Sequence, residues 1–412
     1  MSLRRTLARV VLWRGAYLLS SFLLNVFFVR YYGAAGSSAV YYLINIYSFV
    51  LLIAGCSLES GMSFYLAKGQ ANEGALSLLS LLWTLVFSIL ALSMLQGYFH
   101  FFDKDVSGSL FGMTAASFIP GQLLITFFTA LFYTRDSPAL PNILLLSINM
   151  LLIGLIPSAG IIHAGIGPGT YIRIYFWGTL LQGGLLALVF ATRYGKTFTL
   201  PDRTVLVKIL HYSLVALSAN ILFFLVYRVD YWFVKNYCTP EELGNYIQVS
   251  KLGQVILLMP GMLASVIFPA TAMGKVQDMV IALKRLFRFT TLLFSLAFIV
   301  LLVAGPRIYT FIFGNSMDKM YQPTLWLLPG IFSLSVLALL SAYFGGIRRP
   351  DINAWSALAG LLVIVTGDML VIPVYGITGA AAVSSLGYSV CMLYSLLKFI
   401  KLSAGPSAKG NV

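Results

Sequence analysis

Ser218 to Ala270 reads SANILFFLVYRVDYWFVKNYCTPEELGNYIQVSKLGQVILLMPGMLASVIFPA. Two long apolar runs flank a short polar turn, Cys238 to Leu243, and this spacing predicts a hairpin of two membrane-length helices. Arg228, Asp230, Lys235 and Lys251 lie inside it. A charge at the centre of a spanning helix costs roughly 2.5–3.5 kcal/mol on insertion scales, so such residues face a partner or a watery cavity. Asp230 precedes Pro240 by ten residues and Lys251 follows Glu241 by ten. At about 1.5 Å per residue in antiparallel helices the two reach a similar depth, which predicts an ion pair in at least one state of the protein. Arg228 and Lys235, seven residues apart, share a helix face with Trp232 between them, while Asp230 points nearly the opposite way.

The rest of the chain agrees with this hairpin. Hydrophobic residues make up 59% of the 412 residues and charged residues 10%, and the mean hydropathy is +0.89. Apolar runs of about 20 residues, each long enough to cross a bilayer, recur throughout. The reading is an all-α polytopic membrane protein with about twelve spans: 8–31, 38–62, 75–97, 108–133, 141–163, 171–192, 208–235, 244–270, 288–305, 322–345, 354–375 and 378–400. The basic start is kept as the first helix, because Arg14 interrupts its apolar run and no small-residue cleavage site follows.

A net charge of +14 invites a nucleic-acid reading, and the distribution of that charge excludes it. Arg and Lys fall mainly before the first span and in every second loop, with groups at Arg193 to Lys208 and Lys275 to Arg288. This is the positive-inside pattern, with both termini in the cytoplasm and an even number of spans. Three scattered cysteines and three isolated histidines make neither a disulfide framework nor a metal cluster. Gly165 to Gly169 mimics a phosphate loop but lacks the strand–loop–helix context, so it reads as a tight turn.

The seventh span resembles the first. Phe28-Val29-Arg30-Tyr31-Tyr32 aligns with Phe233-Val234-Lys235-Asn236-Tyr237 at an offset of 205 residues, and Tyr41 with Tyr246 at the same offset. Pro120-Gly121 aligns with Pro329-Gly330 at an offset of 209. A six-helix duplication would leave such a series. Because six is even, the repeats are parallel and related by an axis along the membrane normal, with a central cleft between two lobes. The expected organisation is an N-terminal lobe 1–195, a cytoplasmic linker 196–207, a C-terminal lobe 208–402 and a tail 403–412.

FFVRYYGAAG (27–36), the hairpin segment 227–270 and DMLVIPVYGITGAAAVSSLGY (368–388) together resemble the Wzx-type polysaccharide-repeat flippases of the multidrug/oligosaccharidyl-lipid/polysaccharide exporter superfamily. The resemblance implies a bacterial plasma-membrane protein that moves undecaprenyl-pyrophosphate-linked oligosaccharides to the outer leaflet for O-antigen, capsule or exopolysaccharide assembly. Its partners would be membrane lipids and the polymerase and glycosyltransferases of the same pathway. The family usually carries Asn where this chain has Asp368, which leaves that residue open between a coupling-ion site and a salt bridge. The lipid II branch has fourteen spans and paired arginines in its first helix. Here about twelve spans are expected, and Leu18 and Leu24 stand in that region, which disfavours the branch.

The charges agree with an anionic cargo. Arg14, Arg228 and Lys251, with Arg30 and Arg173 near the outer rim, are the candidate substrate-binding residues, and Asp230 and Asp368 are the candidates for ion coupling or a salt bridge. Arginine matches phosphate oxygens through paired hydrogen bonds. No cofactor or metal is expected; the driving ion is open between H⁺, Na⁺ and none. The alternatives are a multidrug cation antiporter of the same superfamily, which would want an acidic cleft, and a membrane glycan polymerase. The polymerase would need acid/base or metal-binding groups on a sizeable loop, and the outer loops offer only carboxylates such as Asp103, Asp105 and Asp318 without a paired arrangement.

Overall fold

The computed structural model describes residues 3–102, 109–135, 137, 139–156, 167–194, 199–272, 276–347 and 349–404. The Asp103–Asp105 loop, Gly165 and Ile166 of the glycine turn, residues 196–198 of the linker and residues 405–412 of the tail lie outside them.

Twelve α-helices account for the fold of the described residues: α1 (Leu3–Gly55), α2 (Leu58–Ala67), α3 (Glu73–Phe102), α4 (Ser109–Thr134), α5 (Ala139–Leu155), α6 (Pro168–Tyr194), α7 (Arg203–Tyr237), α8 (Pro240–Ala272), α9 (Val276–Ala304), α10 (Arg307–Phe313), α11 (Tyr321–Gly346) and α12 (Pro350–Ala404), with a 3₁₀ turn at Asn315–Met320. Among the described residues, eight helical stretches are long and apolar enough to cross a membrane, and the chain is a multi-pass membrane protein. Two of the eight, 44 and 54 residues long, are double-length. Each bends at one glycine in the left-handed region, Gly33 at φ 69° in α1 and Gly376 at φ 55° in α12. A side chain rarely adopts that conformation, so glycine makes the corner.

The corner in α1 is tighter than the gap left between the expected spans 8–31 and 38–62. The residues of that gap are helical. Gly33 makes the turn alone, the Ala34 amide donates to Ser316 Oγ (3.1 Å), and the Ser37 and Ser38 hydroxyls donate back to the carbonyls of Ala34 and Ala35. A second irregularity has no signal in the sequence. Cys56 and Ser57, between α1 and α2, sit at φ 52° and 50° without being glycine. The break is met by polar partners: Trp83 Nε1 donates to the Ala54 carbonyl (2.8 Å) and Asn220 Nδ2 to Ser57 Oγ (2.9 Å).

The chain divides into two compact units, 1–32 with 43–221 and 33–42 with 222–412. The division falls inside α7. The early part of α7 packs on α2, where Gly61 lies against the Ile209 carbonyl and Tyr212 stacks on Phe64 with ring centroids 4.7 Å apart. The corner 33–42 groups with the second unit through Ser316 and through Gly244, which abuts the Ala34 carbonyl.

Each unit uses the same local device at the positions where the sequence repeats. Pro120 lies within α4, and the next residue, Gly121, packs on the backbone of α6, where a Cβ would stand 2.7 Å from the Thr179 carbonyl. Pro329 lies within α11, and Gly330 packs on α12 with Ser385 Cα 2.6 Å from where its Cβ would be. A proline frees a helix carbonyl and the adjacent glycine lets a neighbouring backbone come close.

Candidate substrate and ion site

The hairpin forms as its sequence predicts. Thr239, Pro240 and Glu242 make a capping box at the start of α8: Glu242 Oε2 accepts from the Thr239 amide and hydroxyl (both 3.0 Å), and the Glu242 amide donates to Thr239 Oγ1 (3.3 Å). The Thr239 amide, then the Thr239 hydroxyl and Lys319, hold the Glu242 carboxyl below its ordinary value.

Asp230, on α7, is buried. Its Oδ2 accepts from Tyr246 of α8 (2.5 Å) and Ser384 of α12 (3.0 Å), and its Oδ1 from the Tyr231 amide (2.9 Å). The expected ion pair with Lys251 is not formed in this conformation. Lys251 Nζ lies instead over the Tyr41 ring, 2.8 Å from its centroid. Distance from the turn sets depth but leaves direction open. Lys251 follows Tyr246 by five residues, about 140° around the helix, so only Tyr246 faces Asp230.

Asp368, on the first arm of α12, is fully buried, and neither of its oxygens has a hydrogen-bond partner among the described residues. It lies within electrostatic reach of Asp230. An ionised carboxylate in such surroundings is unfavourable without a cation, so this position is suited to carrying a proton or meeting a positive ion. Among the described residues no group of three or more metal-ligating side chains occurs.

Arg228 is half-buried on the wall of a cavity of 390 Å³ inside the second unit. Its Nη2 donates to Gln254 Oε1 (2.9 Å), its Nη1 donates to the Tyr231 hydroxyl, and the guanidinium lies 5.0 Å from the Tyr231 ring centroid. Among the described residues, two of the five guanidinium N–H donors are thus taken and three remain. Ser250 and Gln254 add polar groups, while Leu257, Ile331 and Leu334 are apolar walls. Among the described residues, Arg228 is the charged member of that lining; neither Asp230 nor Asp368 contributes to it.

The other expected cations are placed as follows. Arg14 is exposed on α1, 5.7 Å from the Tyr133 ring centroid. Arg30, at the end of the first arm of α1, and Arg173, on α6, are exposed. All three belong to the first unit, whose buried polar cluster is uncharged: Asn149 donates to Ser20 (3.0 Å) and Ser21 (2.9 Å) and accepts from Gln182 (3.0 Å). Ser384 and Gln254 have no sequence signal that marks them as site residues. Tyr41 and Tyr246 have one faint signal, as equivalents in the internal repeat.

Solved structures of other membrane proteins share this architecture. A lipid II flippase MurJ in an inward closed conformation superposes with a TM-score of 0.72 at 16% identity, covering 95% of this chain and 87% of that one. An inward-facing multidrug resistance MATE family transporter of the MOP superfamily gives 0.70 at 18% identity, with 96% of each chain covered. A MOP superfamily transporter from Pyrococcus furiosus, described as having a binding pocket of reverse polarity, gives 0.67 at 15%, with 98% and 96% covered. The chain shares the fold of these solved proteins. The family model described as "Polysaccharide biosynthesis protein" matches residues 142–322, a stretch that contains the whole hairpin. No curated protein matches the sequence at a significant level.

Proposed function

We propose that this protein is a flippase for undecaprenyl-pyrophosphate-linked oligosaccharide repeat units, carrying them from the cytoplasmic to the outer leaflet of a bacterial plasma membrane by alternating access, with both termini cytoplasmic. The observation that carries the reading is Arg228, held by Gln254 and Tyr231 at the wall of an otherwise largely apolar cavity with donors to spare. A pyrophosphate is the anion such a guanidinium fits, and an adjoining apolar wall suits a lipid carrier. Lys251, outside the lining of that cavity, is the other cargo-binding candidate of the second unit, and Arg14 and Arg30 are those of the first; Arg173, also expected to bind cargo, lines a separate groove between α5 and α6. The match to a polysaccharide biosynthesis family over the hairpin supports a glycan cargo.

Asp230 and Asp368 are the coupling groups of this proposal, taking H⁺ or Na⁺ while the arginine holds the cargo. The pair also supports the competing reading, a cation antiporter like the MATE transporters. That reading is weaker because the carboxylates do not line the cavity that Arg228 lines. Proteoliposomes separate the two. With undecaprenyl-pyrophosphate-linked glycan in one leaflet and a lectin outside, the flippase makes lectin-accessible glycan appear at a protein-dependent rate. Ethidium efflux without glycan movement would overturn the proposal.

A further inference from the structure

The first unit carries a groove that the proposed transport reaction does not use. It lies between α5 and α6, encloses 460 Å³, and is lined by Leu151, Leu152 and Leu155 on one side and Arg173, Trp177 and Leu181 on the other. The last three recur every fourth residue, so they form one stripe along α6, about 12 Å from the charged to the apolar end. Leu151 is 55% exposed, Trp177 50% and Leu181 49%, so the groove opens outward. Gly178 forms its floor: a Cβ there would come within 3.1 Å of Leu152, and its absence lets the two helices close beneath the opening.

Polarity is confined to one end. Thr170 and Arg173 line the groove one turn apart where α6 begins, and Arg173 makes no ion pair among the described residues. An aromatic ring one turn below a cation, followed by leucines, matches the order of phosphate, glycerol and hydrocarbon in a bilayer leaflet. A second outward groove provides the contrast. Between α9 and α11, Phe294, Phe298, Pro329 and Phe332 line 280 Å³, with no charged residue among the described ones.

We propose that the α5–α6 groove binds one anionic phospholipid of the surrounding bilayer, its phosphate on Arg173 and one acyl chain laid along Trp177 and Leu181. A groove of this volume holds a single acyl chain and falls far short of a long polyprenyl chain, which favours the bilayer lipid over the transport cargo. One arginine near a leaflet surface confers about a fivefold preference for an anionic over a zwitterionic headgroup, equivalent to about 1 kcal/mol.

Trp177 reports occupancy directly. The full-length protein is placed in phosphatidylcholine nanodiscs containing increasing fractions of acyl-brominated phosphatidylglycerol or acyl-brominated phosphatidylcholine. The Trp177 signal is the difference between wild type and Trp177→Phe. The expected result is half-quenching at about a fivefold lower fraction of the anionic lipid, with the preference shrinking at high salt. Arg173→Ala and Arg173→Gln should bring the ratio to about one while quenching by both lipids persists, which shows the groove itself intact. Equal quenching of the wild type by the two lipids, or a preference retained in both variants, would overturn the proposal. So would displacement of phosphatidylglycerol by a smaller fraction of undecaprenyl phosphate, which would give the groove to the carrier.

Discussion

Replacing Tyr246 by phenylalanine removes one hydroxyl and leaves the ring in place against Tyr231, 5.9 Å away between centroids. What is lost is the shorter of the two O–H bonds to Asp230 Oδ2; Ser384, at 3.0 Å, remains. A hydrogen bond to a charged group contributes about 1.5–3 kcal/mol, and the surviving partner places Tyr246→Phe toward the lower end, about 1.5–2 kcal/mol. Ser384→Ala, losing the longer bond, should cost about 1 kcal/mol. Together they strip Oδ2 of its side-chain donors inside a buried site. The double variant should therefore lose about 4 kcal/mol, more than the sum, because it leaves a buried charge half-unsatisfied. For a unit of about 200 residues each kcal/mol lowers Tm by about 2–4 °C, so Tyr246→Phe should melt about 3–8 °C below wild type. The assay is thermal unfolding of the purified protein in detergent, with the same pair of substitutions repeated in an Asp230→Asn background, where the penalty should shrink to a fraction of its size. A Tyr246→Phe protein that melts with wild type, or one whose loss is undiminished in the Asp230→Asn background, would refute the reasoning.

Two further expectations follow from packing and from charge. Gly121→Leu should destabilise the first unit by about 1–3 kcal/mol or more, because the new side chain meets the Thr179 carbonyl and Leu180 backbone of α6, whereas the same change at Gly184, which has open space, should be near neutral; circular dichroism melts of the two variants compare them. The Glu242 carboxyl is held below its ordinary value in the folded protein. Its contribution is therefore fully present above the unfolded-state value and is lost as pH falls through the lower folded value. Glu242→Gln should flatten that acid-side slope of stability, and an unchanged slope would dismiss the capping box as its source.

Much of the fold is legible in the sequence because a bilayer imposes length and apolarity, and helices stand where runs such as 75–97 and 208–235 place them. The corner at Gly33 reads as a longer loop, since one glycine at positive φ does what the small polar run after it suggests several residues must do. The break at Cys56 and Ser57 leaves no mark, because neither residue type favours the conformation it adopts. At the site, the sequence singles out the ionisable residues but not their neutral partners. Asp230 and Asp368 stand out as charges in apolar runs. Tyr246, Ser384 and Gln254 are ordinary polar residues until helices α8 and α12 turn them toward α7. The Asp230–Lys251 pair is not made in this conformation for the same reason: spacing along a hairpin sets height, and the angle around each helix decides the contact.

If Arg228 holds the pyrophosphate of a lipid-linked cargo, the affinity of the purified protein for undecaprenyl pyrophosphate depends on it. That affinity is measured for wild type, Arg228→Lys and Arg228→Ala, with undecaprenol as the uncharged reference. Loss of charge-assisted hydrogen bonds of about 1.5–3 kcal/mol predicts that Arg228→Ala binds the pyrophosphate about 10- to 150-fold more weakly and undecaprenol unchanged, with Arg228→Lys between. Equal affinity of wild type and Arg228→Ala for the pyrophosphate would mean that Arg228 does not hold it.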